Sequence, residues 1–271
     1  MNFSILALSI STALVLTSVL GKKGDLGYLF ILGVGGFIGV VTGFILSRLY
    51  LIFKLDFIII AILNFCLVPG LLILVILSRF YRDPVRTPPP RDNVIVSPAD
   101  GKIRYIRKIE AGTIPTAIKG RKNIKLEEIV KGNIAVGDGY IIGITMSILD
   151  VHVNRAPISG EVLMTKYTPG RFLSLKKPDS ETLNERNTII IKGEIKERTL
   201  EVGIVQIASR LVRRIECYVK KGERLTIGQK IGMIKFGSQV DLILQEVDGL
   251  RILVREGDQV YAGKTIIAEL L

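Results

Sequence analysis

Three apolar runs fill the first third of the chain, at residues 3–20, 28–46 and 57–77, and each is close to the length of about 20 residues that crosses a bilayer as a helix. They predict a transmembrane anchor over residues 1–78. The first run has no basic segment before it and no small-residue cleavage site after it, and two more runs follow, so a retained span is expected rather than a signal peptide. Pro69-Gly70 interrupts the third run. A kinked span tolerates such a pair, because neighbouring groups satisfy the freed backbone; a shallower interfacial hairpin is the alternative. Lys22 and Lys23 flank one side together with Arg79, Arg82 and Arg86, against Arg48 and Lys54 on the other. The positive-inside rule then predicts a multi-pass protein of the cell membrane with its C-terminal part on the cytoplasmic side.

Beyond the anchor, residues 79–93 form a linker that carries Pro84, Pro88, Pro89 and Pro90, a composition that favours an extended, semi-rigid spacer. From Val94 to the C-terminus the texture changes to short β-branched runs, among them Val94–Val96, Tyr140–Thr145, Thr188–Ile191 and Gly203–Ile207, separated by Gly, Pro and Asp. A mainly β domain over residues 94–271 follows. Two internal repeats refine it. Val219–Ile231 returns at an offset of 35 as Val254–Ile266, and Ser97–Ile103 is similar to Ala156–Val162 in its Pro, Gly and final β-branched positions. Each unit reads as half of a biotinyl/lipoyl-like β-sandwich, with glycines at tight corners. No carrier lysine of that fold stands on a hairpin tip, so scaffold and cofactor-carrying function part ways.

Residues 79–271 hold 33 basic and 23 acidic groups, most of the formal charge of +12. Such an excess beside a membrane suits anionic lipid headgroups. Nucleic acid is not expected as a partner, because no nucleic-acid motif accompanies the charge. Cys66 and Cys217 show neither disulfide nor metal-ligand spacing, so no metal is expected. His152 is the only histidine, hence the only imidazole for proton transfer near neutral pH.

Three segments have the residue types of an active site: Ser97–Gly101 with Asp100, Leu149–Pro157 with His152 and Arg155, and Lys235–Val240 with Gly237-Ser238. Singly, Asp100 reads as a turn residue, His152 as a structural histidine and Gly237-Ser238 as a strand bulge. A hydrolase triad of Asp, His and Ser lacks its Gly-x-Ser-x-Gly elbow. Phe236, Val240 and Leu242 read as core positions alternating with Gln239 and Asp241 on a half-buried strand.

In order, however, Arg82-Asp83-Pro84, Ser97–Gly101, Asp150–Pro157, Asn184–Asn187, Arg213-Arg214-Ile215 and Gly237-Ser238 resemble the blocks of the phosphatidylserine decarboxylase family, including its archaetidylserine decarboxylase-like members, over roughly residues 79–271. The resemblance implies self-cleavage between Gly237 and Ser238 into residues 1–237 and 238–271. Ser238 would become a covalent pyruvoyl group, the cofactor whose carbonyl takes the amine of a serine-headed phospholipid before carbon dioxide leaves. It implies catalytic roles for Ser238, His152 and Asp100, with His152 as base and Asp100 as its orienter, and fragments that stay associated, with a homodimer as one assembly. Longer members have a second histidine where this chain has Arg155; His152 must then serve both steps, or Asp100 acts in processing with another partner. Arg155 in that slot reads equally as a ligand for the substrate phosphate or carboxylate and as an exposed strand charge. Ser209 and Gln245 also depart from the family's pattern. Ester-linked and ether-linked serine lipids remain equal candidates. The reading from a different class is a non-enzymatic, membrane-anchored adaptor built on the same sandwich.

Overall fold

The structure is a computed structural model that describes residues 2–24, 28–114, 124–131, 134, 137–175, 177, 179–209, 214–235 and 238–271. It divides into two compact units, Met1–Arg82 with Ser147–Leu149, and Asp83–Met146 with Asp150–Leu271.

In the first unit, helices Phe3–Gly24, Tyr28–Phe53 and Phe57–Phe80 are each long and apolar enough to cross a membrane. The second helix runs past the expected end at Leu46. Leu49, Leu51, Ile52 and Phe53 extend its apolar surface beyond Arg48, whose guanidinium lies 5.1 Å from the Phe44 ring. The third helix is continuous through Pro69, so a single helix replaces the hairpin alternative. Gly35, Gly39 and Gly43 form a stripe on the second helix, and a Cβ at Gly39 would lie 2.5 Å from the Ile10 Cα. Small residues here let two backbones meet closely, the usual basis of helix packing in lipid. Asn64 Nδ2 donates to Thr12 Oγ1 at 3.2 Å, tying the third helix to the first.

The second unit is mainly β. Its largest sheet is antiparallel, with strands in the order Arg224–Leu225, Gly160–Thr168, Arg186–Ile195, Arg198–Ala208, Ser238–Gln245, Gly139–Met146, Gly101–Ile109 and Gln259–Val260. Two three-stranded sheets accompany it, one of Val94–Val96, Ile266–Leu270 and Leu250–Ile252, the other of Arg214–Cys217, Lys230–Lys235 and Val153–Arg155. The principal core joins one face of the large sheet, through Ile144, Ile189, Ile204, Val240 and Leu242, to Ile95 and Ile267 of one small sheet and Ile231 and Ile234 of the other. The opposite face is covered as well. Tyr105, Ile141, Ile190, Val205 and Ile243 pack there with Leu126, Ile129 and Val130 of a short helix. Burial on both faces explains why strands such as Arg186–Ile195 carry unbroken apolar runs. It also revises the half-buried strand expected at Gln239 and Asp241, which are 1% and 0% exposed beneath this second layer.

The sequence repeats are repeats of local geometry. Segment 97–103 meets 254–266, and 156–162 meets 219–231. Ile103 N–H donates to Asp258 O and Gly257 N–H to Ile103 O; at the equivalent positions Val162 N–H donates to Glu223 O and Gly222 N–H to Val162 O. Gly222 and Gly257 sit at φ of +85° and +90°, a conformation that costs glycine little and an L side chain much more.

The proline-rich segment, expected as a spacer, is strapped along the β domain. Asp83 pairs with Arg155 and Lys230, Arg86 with Asp100, and Arg91 with Glu269. Its prolines extend it, and its charges bind it to the surface it crosses.

Candidate active site

The backbone places Ser238 where the chain passes between sheets. Strand Lys230–Lys235 belongs to a three-stranded sheet, with Lys235 opposite Arg214 and Met233 opposite Val153. Three residues after Lys235, Ser238 opens the central strand of the large sheet, between Met146 and Ala208. The neighbouring strand makes the same transfer, leaving the large sheet at Ala208 and resuming at Arg214. Phe236, Gly237 and Arg213 lie outside the described residues, so the expected cleavage carbonyl does too.

His152 is tied to this transfer from two directions. It lies six residues beyond Met146, the partner of Ser238, and its carbonyl accepts the Ile234 N–H at 3.3 Å. The side chain is fully buried, and Nδ1 lies 2.9 Å from the Asp150 carbonyl oxygen. A carbonyl can only accept. Nδ1 is therefore the nitrogen that donates in this contact, which leaves Nε2 as the ring nitrogen for any exchange of protons with a reacting group.

Asp100 is buried and held by a two-pronged pair with Arg86, at 2.5 and 2.7 Å, and by the Ala262 N–H at 2.8 Å. Arg86 also donates to the Ala262 carbonyl at 2.7 Å. Arg155 is buried rather than exposed, and its guanidinium donates to Asp83 at 2.7 Å, Gly228 O at 3.0 Å and Pro84 O at 3.2 Å. Both residues thus clasp the strap.

Sequence reasoning missed two buried polar networks. Asn187 donates to Gln206 and Gln206 to Asn154, each at 2.8 Å, which links three strands two residues from His152. On the second-layer face, Gln239 Nε2 donates to Asp241 Oδ1 at 2.7 Å and to the Tyr105 hydroxyl at 2.8 Å, and Gln239 Oε1 accepts from Arg104 at 2.6 Å. Tyr105 donates to the same Asp241 oxygen at 2.9 Å. Its ring lies over Gly143, where a Cβ would come within 2.5 Å of it. Burial raises the Asp241 carboxyl to about 6, against the hydrogen bonds from Gln239 and Tyr105 that pull it down. Burial, reinforced by the Asp241 charge, raises the Tyr105 hydroxyl well above its ordinary value, and burial lowers the fully buried Arg186. A polar pair at alternate positions directly after Gly-Ser was the available signal, but alternation alone reads as a wet face.

A family profile described as phosphatidylserine decarboxylase matches residues 73–268. The chain belongs to the phosphatidylserine decarboxylase family. Among curated relatives, a protein of Methanocaldococcus jannaschii provisionally named an archaetidylserine decarboxylase proenzyme is 43% identical over 189 residues, covering 70% of this chain and 87% of the relative. The phosphatidylserine decarboxylase proenzyme of Mycobacterium leprae is 40% identical over 201 residues, covering 74% of each chain. A second provisionally named archaetidylserine decarboxylase proenzyme, from Methanothermobacter thermautotrophicus, is 39% identical over 196 residues, covering 72% of this chain and 81% of the relative. Membership makes the chain a decarboxylase of a zymogen family and sets the adaptor reading aside.

Proposed function

We propose that the chain cleaves itself between Gly237 and Ser238 and then decarboxylates a serine-headed phospholipid to its ethanolamine counterpart. The observation that carries the proposal is the position of Ser238, at the mouth of the central strand where two sheets exchange chains, with His152 bonded through its backbone to Ile234 just upstream. In the first step the Ser238 hydroxyl attacks the Gly237 carbonyl and the amide becomes an ester. Loss of the Ser238 Cα proton expels the Gly237 carboxylate and leaves dehydroalanine; water then replaces its nitrogen, which departs as ammonia. One water is consumed, and a 34-residue fragment ends in a pyruvoyl group. That group supplies the electrophilic carbonyl and the electron sink for decarboxylation.

His152 is the base of the first step and the acid of the second. With Nδ1 held by Asp150, Nε2 takes the Ser238 hydroxyl proton and hands it to the departing amide nitrogen; in each later turnover the imidazole, protonated from solvent, gives a proton to the substrate carbon. Both Asp100 oxygens are taken up by the Arg86 fork and the Ala262 N–H, so we assign it to fixing the Ser97–Gly101 turn, with Arg86 as its partner. Arg155 would reach a substrate phosphate only by leaving Asp83, and we assign it to holding the strap.

After scission the small fragment stays in place because Ser238–Gln245 lies between two strands of the large one, and Ile266–Leu270 pairs with Val94–Val96. The repeated turns support half-units of the biotinyl/lipoyl type, and the basic flanks support a domain facing the cytoplasm beside anionic lipid. Intact mass of the purified chain tests the cleavage: two fragments, the smaller lacking a free amine, are expected. Ser238→Ala should be uncut and inactive; an uncut chain that still turns over phosphatidylserine overturns the mechanism. Assays on ester-linked and ether-linked lipids in parallel identify the core the enzyme accepts.

A further inference from the structure

We propose that Gln239 is a positioning residue that holds the pyruvoyl end of the small fragment in register once the bond to Gly237 is gone, an inference that rests on the cleavage reading above. Ser238 is the first residue of its strand. Conversion to pyruvoyl removes its nitrogen, and with it the first N–H of the ladder. The terminal group then hangs from a strand end, the kind of place where backbones fray. Gln239 becomes the first residue able to donate to a neighbouring strand.

Its side chain is built as an anchor. It is 1% exposed and bonded at both ends, accepting from Arg104 at 2.6 Å and donating to Tyr105 at 2.8 Å and Asp241 at 2.7 Å. Arg104 and Tyr105 belong to Gly101–Ile109, a strand of the large fragment that is not the immediate neighbour of Ser238–Gln245; Gly139–Met146 lies between them. The tie therefore spans three strands and crosses the cut between fragments. Gly143 makes this reach possible, since any side chain there would fill the space of the Tyr105 ring. Arg104 is itself fixed, donating to the Leu175 carbonyl at 2.6 Å. The cluster lies on the face of Ile243, away from the Val240 and Leu242 core, so it steadies the strand from behind.

The test uses the full-length protein in detergent and three readouts: intact mass, the rate at which phenylhydrazine captures the pyruvoyl carbonyl without lipid, and steady-state kinetics on a serine phospholipid. Gln239→Leu should still cut, because the uncut strand is held by its covalent continuity. Its carbonyl should be captured about fivefold faster, and kcat should fall about tenfold with KM within about twofold, since small misplacement of a reacting group costs rate more than binding. Arg104→Met, a change at a half-buried side chain of the other fragment, should move the capture rate and kcat in the same directions by about threefold, the scale of one hydrogen bond. If Gln239→Leu does not fold or cut, Arg104→Met alone decides. Cut protein with the parent's capture rate and kcat, or a loss confined to KM, overturns the proposal. A parent chain that forms no hydrazone overturns the pyruvoyl reading and this inference together, a result distinct from either failure above.

Discussion

At Asp100 a side-chain oxygen takes the N–H of Ala262, and at Ser159 a hydroxyl takes the N–H of Ile227, the residue in the same place of the repeated segment. The two turns share their glycine, Gly101 and Gly160, and their strand partners, Val260 and Leu225. One is closed by a neutral group. The other is closed by a buried carboxylate, which requires a counter-charge, and Arg86 from the strap delivers it with two prongs. The two turns thus differ in the side chain that closes them, and the charged one is tied to the segment that carries Arg86. Asp241 is a second buried carboxylate without that solution. Its Oδ2 has no hydrogen-bond partner among the described residues, and burial raises it to about 6.

Removing the counter-charge should break the comparison most severely. Arg86→Met leaves Asp100 with Ala262 as its remaining partner in a buried site, and a loss of about 3–5 kcal/mol is expected, the usual cost of orphaning one member of a buried pair. Urea unfolding of the β domain measures it. Adding Asp100→Asn to Arg86→Met should restore most of that loss; if the double variant is as unstable as the single, the pair is not what holds the turn.

Asp241 predicts the opposite sign. Its folded carboxyl binds a proton more tightly than the unfolded one, whose ordinary value is near 3.8. Stability is therefore unaffected by this group below pH 4, falls as pH rises towards 6, and carries the full penalty above it. Asp241→Asn keeps an oxygen for Tyr105 and Gln239 and removes the ionisation, so near neutral pH it should gain about 2 kcal/mol, and the decline between pH 4 and 6 should flatten. Melting curves across pH 4–8 give both numbers. A parent-like slope in the variant would mean that some other group titrates there.

The sequence revealed the anchor, the β texture and the repeats because each is written in local periodicity. Ser97–Gly101, the His152 segment and Gly237-Ser238 were legible as an ordered set. What stayed hidden is non-local. The grip of Arg86 on Asp100 joins a proline-rich stretch to a turn, and nothing in either stretch specifies the other. Gln239 and Asp241 read as a solvated face because alternation does not reveal a second layer; the cover comes from Leu126, Ile129 and Val130, a five-residue helix too short to announce itself. Arg155 was legible as a cation in a site segment, but its burial and its partner Asp83 depend on the path of the strap.

The smallest expected effect tests the neutral half of the repeat. Ser159→Ala removes one acceptor from the Ile227 N–H, on a turn where that group is partly open to water, so water can replace much of what is lost. A loss of about 1 kcal/mol is expected, well below that of Arg86→Met. The contrast is informative because geometry is nearly constant between the two turns, at 2.9 and 2.8 Å, while charge and burial differ. If Ser159→Ala costs as much as Arg86→Met, the turns themselves dominate the stability of both halves, and the ion pair at Asp100 serves chiefly to bind the strap. If it costs little, the charged half gains its rigidity from Arg86, and the strap is part of what holds the Ser97–Gly101 turn.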